Sequence, residues 1–169
     1  VRLLRFAEAG MLNAVPAARV LGALADLQDP ATGCMRWYHE EERVIDTNAA
    51  FFTGLPLIVL WRRHAAELAP ETFERLKNVC GGLYGWFRAQ VSGPFHAFYP
   101  NKWLGDLTCV WLLHELLDRK EDQRLLTSAL RQAAAYWREH QWGWGEHMSD
   151  GYATVLLDDA MHDGQAQPG

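Results

Sequence analysis

Asp46-Thr47-Asn48-Ala49-Ala50-Phe51-Phe52-Thr53-Gly54-Leu55-Pro56-Leu57-Ile58-Val59-Leu60-Trp61 is the stretch whose reading decides the fold. Asp46 or Thr47 suits a helix N-cap, because a short side-chain oxygen accepts from one of the N–H groups that a helix start leaves unpaired. From Ala49 to Trp61 almost no position is polar. A surface helix keeps one face for water, so a helix that is apolar nearly all round has to be covered on both sides. The stretch predicts an inner helix, entered from a polar, aromatic loop that begins at Arg36-Trp37-Tyr38-His39.

Outward from it the same pattern returns. Phe95-His96-Ala97-Phe98-Tyr99-Pro100-Asn101-Lys102-Trp103 leads into a helix from about Trp103 to Leu117, apolar on more than one face. Trp142-Gly143-Trp144-Gly145-Glu146-His147-Met148-Ser149-Asp150 leads into Tyr152 to Met161. An amphipathic helix is expected before each loop: about Leu12 to Gln28, then one opened by Pro70-Glu71-Thr72, then one carrying Leu125, Leu126, Ala129, Ala133, Tyr136 and Trp137 on one side. In the second of these, Phe73, Leu76, Cys80, Leu83 and Phe87 form the stripe, and Gly81-Gly82 reads as a point of close packing.

The junctions recur about every 50 residues, the length of one helical hairpin with its loops. No segment sustains period-two alternation, which excludes a sheet-based fold. The expectation is an all-α fold, an (α/α) toroid or half-toroid built from about three helical hairpins, as one domain over residues 1–164 with a polar tail at 165–169. Six hairpins at this spacing would close a ring at about 300 residues. A chain that starts at Val1 without an initiator Met is therefore expected to be a fragment of a larger toroid or an open half-ring. The ring would be completed by a missing chain segment or, as a homodimer, by a second copy, since an unpaired half-ring leaves an apolar wall in water.

Composition bounds the function classes. In 169 residues, 49% are hydrophobic and 22% charged, ordinary for a folded domain, and a net charge of −5 with scattered Lys and Arg is not the footprint of a nucleic-acid binder. The Ala49–Trp61 run is too short and too interrupted by Gly54 and Pro56 to cross a membrane. Cys34, Cys80 and Cys109 show no metal-ligand spacing and no disulfide framework. His39, Glu146 and His147 match no ligand pattern either, so no metal and no cofactor is expected. Nothing in the sequence fixes the compartment.

Segments such as Asp46-Thr47-Asn48-Ala49-Ala50-Phe51-Phe52 and Asn101-Lys102-Trp103-Leu104-Gly105-Asp106 resemble the loop-to-inner-helix entries of (α/α) toroid carbohydrate-active enzymes: heparinase-like and alginate-lyase-like polysaccharide lyases and six-hairpin glycosidases. The resemblance lies in layout and covers most of the chain. It implies a carbohydrate substrate in a cleft at the junction loops and carries no residue role with it.

The roles come from the chemistry at the junctions. Inner-helix N-termini favour anions, and Asp46, Asn48, Asn101, Asp106, Glu146, His147 and Asp150 lie at or near them. Asp46, Asn101 and Asp150 also read simply as helix caps. A glycoside hydrolase needs two carboxyls, for which Asp46, Glu146 and Asp150 are the candidates. A uronate lyase needs a base and a carboxylate partner, which Tyr99 or His96 with His147, and Asn48 or Asn101, would supply. Trp37, Tyr38, Trp103, Trp142 and Trp144 would stack on sugar rings. Two other readings stay open. Asp158-Asp159-Ala160-Met161-His162-Asp163 approximates the aspartate-rich box of class I terpene synthases, and a helical repeat can bind a glycan or protein without chemistry.

Overall fold

The structure is a computed structural model that describes residues 2–12, 16–95 and 99–139. Its helices are α1 (Arg2–Glu8), α2 (Ala17–Leu27), α3 (Asn48–His64), α4 (Pro70–Val91), α5 (Pro100–Leu116) and α6 (Gln123–Glu139). Among the described residues there is no strand, only an isolated bridge between Gln28 and Met35, and the fold is all-α. None of these helices is long and apolar enough to cross a membrane.

Two of the three expected inner helices form where expected, and the third, from Tyr152 to Met161, lies outside the described residues. α3 is buried along Ala49, Ala50, Leu57, Ile58, Leu60 and Trp61, and runs through Pro56 to His64. α5 is covered by α3, α4 and α6, and α3 also packs on α1. α4 starts with proline in its first turn, where a missing N–H costs nothing, and its stripe of Leu76, Cys80, Leu83 and Phe87 is fully buried. α5 ends through Asp118, which takes a left-handed φ of 53°, and the Arg119 N–H then bonds to the His114 carbonyl at 3.0 Å. All three cysteines are free and buried.

Two features differ from the sequence expectation. α1 was not anticipated, because its seven residues are too few to show a helical period. The first amphipathic helix starts at Ala17, not near Leu12, because Pro16 stands at its cap and offers no N–H to continue a helix through itself.

The Gly81-Gly82 pair is explained at one of its positions. Gln28 leaves the end of α2 and its amide donates to the Gly33 carbonyl and, across on α4, to the Val79 carbonyl, both at 3.0 Å. Gly33, at φ 76°, lies against Gly82: a Cβ on Gly33 would sit 2.2 Å from the Gly82 carbonyl oxygen. This contact seats the turn after α2 directly on α4. Gly81 has open space in front of it. Gly33→Ala is therefore expected to lower unfolding stability by about 2–3 kcal/mol, since it combines strain at positive φ with a backbone clash. Gly81→Ala should be neutral or stabilising by up to about 1 kcal/mol, and urea denaturation of the two variants checks both.

Candidate functional site

The loop between α2 and α3 is held from both ends. The Arg36 guanidinium donates to the Asp26 carbonyl at 2.6 Å and to the Glu41 carbonyl at 2.8 Å. The Glu41 carboxylate accepts from the Trp37 backbone N–H at 3.0 Å. Trp37 in turn donates its indole N–H to Asp46 at 3.0 Å, while the other Asp46 oxygen accepts from the Asn48 backbone N–H at 2.9 Å. Thr47 stands at the cap position without a side-chain cap bond, so Asp46 provides the capping oxygen for α3. The Asn48 and Trp37 bonds outweigh desolvation and hold the Asp46 carboxyl below the usual carboxylate range. Beside it, Tyr38 is 64% and Phe52 57% exposed.

At the start of α5, Pro100 opens the helix, Tyr99 and Asn101 are exposed, and Lys102 and Asp106 stand four residues apart on one face. The Lys102 ammonium is bonded to one Asp106 oxygen. Asp106 is only 2% exposed, and its second oxygen is buried without a hydrogen-bond partner among the described residues. Burial pushes the Asp106 carboxyl above its ordinary range, with Lys102 pulling the other way. Gln90 of α4 joins Tyr99, Lys102, Trp103 and Asp106 around a pocket of about 210 Å³.

The two junctions meet. A Cβ on Gly105 would lie 3.0 Å from the Phe51 ring, so the first turns of α5 and α3 are in contact. The charge of Lys102 acts on Asp46 as well as on Asp106, and favours the ionised form of both. Of the predicted site residues, Asp46 and Trp37 are bonded to each other, and Tyr99 and Trp103 line one pocket. His96, Trp142, Trp144, Glu146, His147 and Asp150 lie outside the described residues, as does the aspartate-rich stretch 158–163.

Trp103 differs from its expected role as an open stacking platform. It is 2% exposed, packed edge-to-face on Phe95 at 4.9 Å, and its indole N–H has no acceptor among the described residues. The sequence places Asp106 near an inner-helix start without assigning it a chemical role, and assigns none to Lys102. Their signal was an opposite-charge pair at i,i+4 on a helix otherwise apolar all round.

Two other regions are set apart by their chemistry. A larger, mostly apolar groove of about 460 Å³ between α1, α2 and α3 is lined by Leu3, Leu24, Phe52, Leu57 and Trp37, with Arg2 the only charged wall residue among those described. Between α4 and α6, Asp122 accepts from the Tyr84 hydroxyl and from Arg88 through two bonds of 2.8 Å. Arg88 holds the Asp122 carboxyl below its usual range. Every oxygen there is partnered, so this is a structural clamp.

No protein-family model, curated protein or solved structure matches the chain. The site is read from its own geometry.

The depressed carboxyls of Asp46 and Asp122 set a sign for pH dependence. Each contributes stability above the ordinary carboxylate range, and that contribution disappears as pH falls through their folded values. Asp122→Asn should lose about 1–2 kcal/mol at neutral pH and show a flatter loss of stability toward acid than the unaltered chain, as read from denaturation midpoints across pH.

Proposed function

We propose that this chain is a carbohydrate-active enzyme of (α/α) toroid or half-toroid build that holds a polysaccharide or oligosaccharide across the starts of α3 and α5 and cleaves it by hydrolysis or elimination. The observation that carries this reading is the Asp106 pocket beside the Asp46 junction: a buried carboxyl, its lysine and a tyrosine on one wall, next to an ionised carboxyl on the neighbouring helix start. The ring arrangement is supported by the way the helices pair, α1 on α3 and α3 on α5 in one row, α2 on α4 in another.

The opposed carboxyls favour hydrolysis. A glycosidase needs one carboxyl kept protonated to donate to the leaving oxygen and another kept ionised as base or nucleophile. Asp106, raised by burial, fits the first role, and Asp46, held down by its hydrogen bonds, fits the second. For elimination, Tyr99 would abstract the proton and Lys102 would stabilise the developing charge on a uronate carboxylate. The exposed side chains of Tyr38, Ile45 and Phe52 favour a second reading, a helical repeat that recognises a glycan or protein without chemistry.

A panel of neutral and uronate-containing glycans, followed for new reducing ends and for the ultraviolet absorbance of an unsaturated product, separates these. Reducing ends without absorbance mean hydrolysis; absorbance means elimination. Asp46→Asn and Asp106→Asn are each expected to lower kcat by about 10²-fold or more, with Gly81→Ala unchanged. No cleavage of any member of the panel would overturn the enzymatic reading and leave recognition.

A further inference from the structure

We infer that the groove between α1, α2 and α3 is a binding site for a free amphiphilic carboxylate, whose apolar body fills the groove while its carboxylate pairs with Arg2. The site is separate from the one proposed above and requires no carbohydrate activity.

The groove follows from how the helices pair. α1 rests on α3 and α2 rests on α4, so the side of α3 that carries Phe52 and Pro56 stays partly open between them. Of the wall residues, Leu3, Leu57 and Leu60 are buried, Leu24 and Trp37 are half-buried, and Phe52 is 57% exposed. Apolar side chains that stand partly in water around a buried floor gain free energy when a ligand covers them.

Size selects a small molecule. About 460 Å³ lies within the roughly 300–1,000 Å³ of pockets that enclose small organic ligands. A stable pairing of two copies draws on roughly 800 Å² from each partner, a surface much broader than this recess.

Charge selects an anion. Arg2 is the only charged wall residue among those described, and it makes no ion pair or hydrogen bond with any of them. Glu8, the acid of α1, is held instead by Arg63 at 3.8 Å. Arg5 follows Arg2 one turn later on the same helix, so this edge is locally basic in a chain of net charge −5. A carboxylate at one end of an apolar body meets both demands, whereas a cation of the same body meets like charge.

Trp37 is the built-in reporter. Its ring lies 6.0 Å from that of Phe52, and both line the groove, while its indole N–H donates to Asp46. A ligand in the groove therefore changes the surroundings of one identifiable indole.

The probes are sodium decanoate and decyltrimethylammonium bromide, each below its aggregation concentration. They are titrated into the full chain by calorimetry, and the indole N–H signals are followed by NMR, with the Trp37 signal identified by its loss in Trp37→Phe. Decanoate is expected to bind once per chain, to move the Trp37 signal most, and to bind about ten-fold tighter than the ammonium. Added salt should narrow that difference, because Arg2 is exposed. Arg2→Glu changes only an exposed side chain, so it should keep its fold by circular dichroism, reverse the order of the two ions and weaken decanoate about ten-fold. Phe52→Ser should weaken both ions by about three-fold or more and leave their order unchanged.

Equal binding of the two ions, an order unaltered by Arg2→Glu, a response centred on another indole, or no binding would each overturn the inference. Two further outcomes overturn it by naming another occupant. Self-association that Phe52→Ser abolishes, read by sedimentation velocity, would assign the groove to a second copy of the chain. Binding to vesicles of anionic phospholipid without binding of free decanoate would assign it to a membrane surface.

Discussion

Burial of α5 on three sides is the constraint from which the rest follows. With α3, α4 and α6 all packed against it, every polar atom it carries has to be paired inside the protein or cost free energy. Leu107, Cys109, Val110 and Leu113 meet that condition trivially. Asp106 does not. Desolvating a carboxylate costs several kcal/mol, partly offset by its lysine, whereas a leucine buried at the same place would contribute about 1.5–3 kcal/mol. Stability alone would select leucine. The acid at this position, with one oxygen unmet, is a cost borne by the fold, and function is the natural account of it.

The same helix layer also fixes where the first junction sits. Gly33 and Gly82 bring the turn after α2 into backbone contact with α4, and Gln28 ties that contact to the Val79 carbonyl. Arg36 and Glu41 then carry the loop onward to Trp37, whose indole meets Asp46 at the start of α3. α4 is therefore the common floor: it sets the loop through Gly82 at mid-helix and contributes Gln90 to the pocket near its end. The position of Asp46 at the start of α3 is a consequence of helix packing, transmitted through a short and well-bonded loop.

Much of this was legible in the sequence, and for an identifiable reason. Long helices write their environment into their periodicity, so the all-round apolarity of α3 and α5 and the stripe of Leu76, Cys80, Leu83 and Phe87 predict both existence and burial. α1 left no such trace, being seven residues long. At the site, the sequence separates residue types but not their accessibility. Trp37 and Trp103 look alike as aromatics beside a junction, yet one is part-exposed and bonded to Asp46 while the other is enclosed by Phe95 and the pocket. The importance of Lys102 and Asp106 depends on what surrounds α5, which only tertiary packing reveals. The partnering of Gly33 with Gly82 spans two elements and is likewise invisible along the chain.

Two buried acids in the molecule allow an internal comparison. Asp122 has both oxygens engaged by Tyr84 and Arg88 and its carboxyl held down. Asp106 has one oxygen engaged and its carboxyl pushed up. Both have little exposed surface, but desolvation dominates at Asp106 while the Arg88 bonds outweigh it at Asp122. Asp122, bonded on both oxygens to groups of α4, acts as a clamp between α4 and the start of α6. Asp106, with one oxygen unpartnered among the described residues and a pocket that it helps to line, is the acid on which the proposed function rests. The proposed function therefore draws on the start of α5, while the Asp122 cluster ties α4 to the entry of α6.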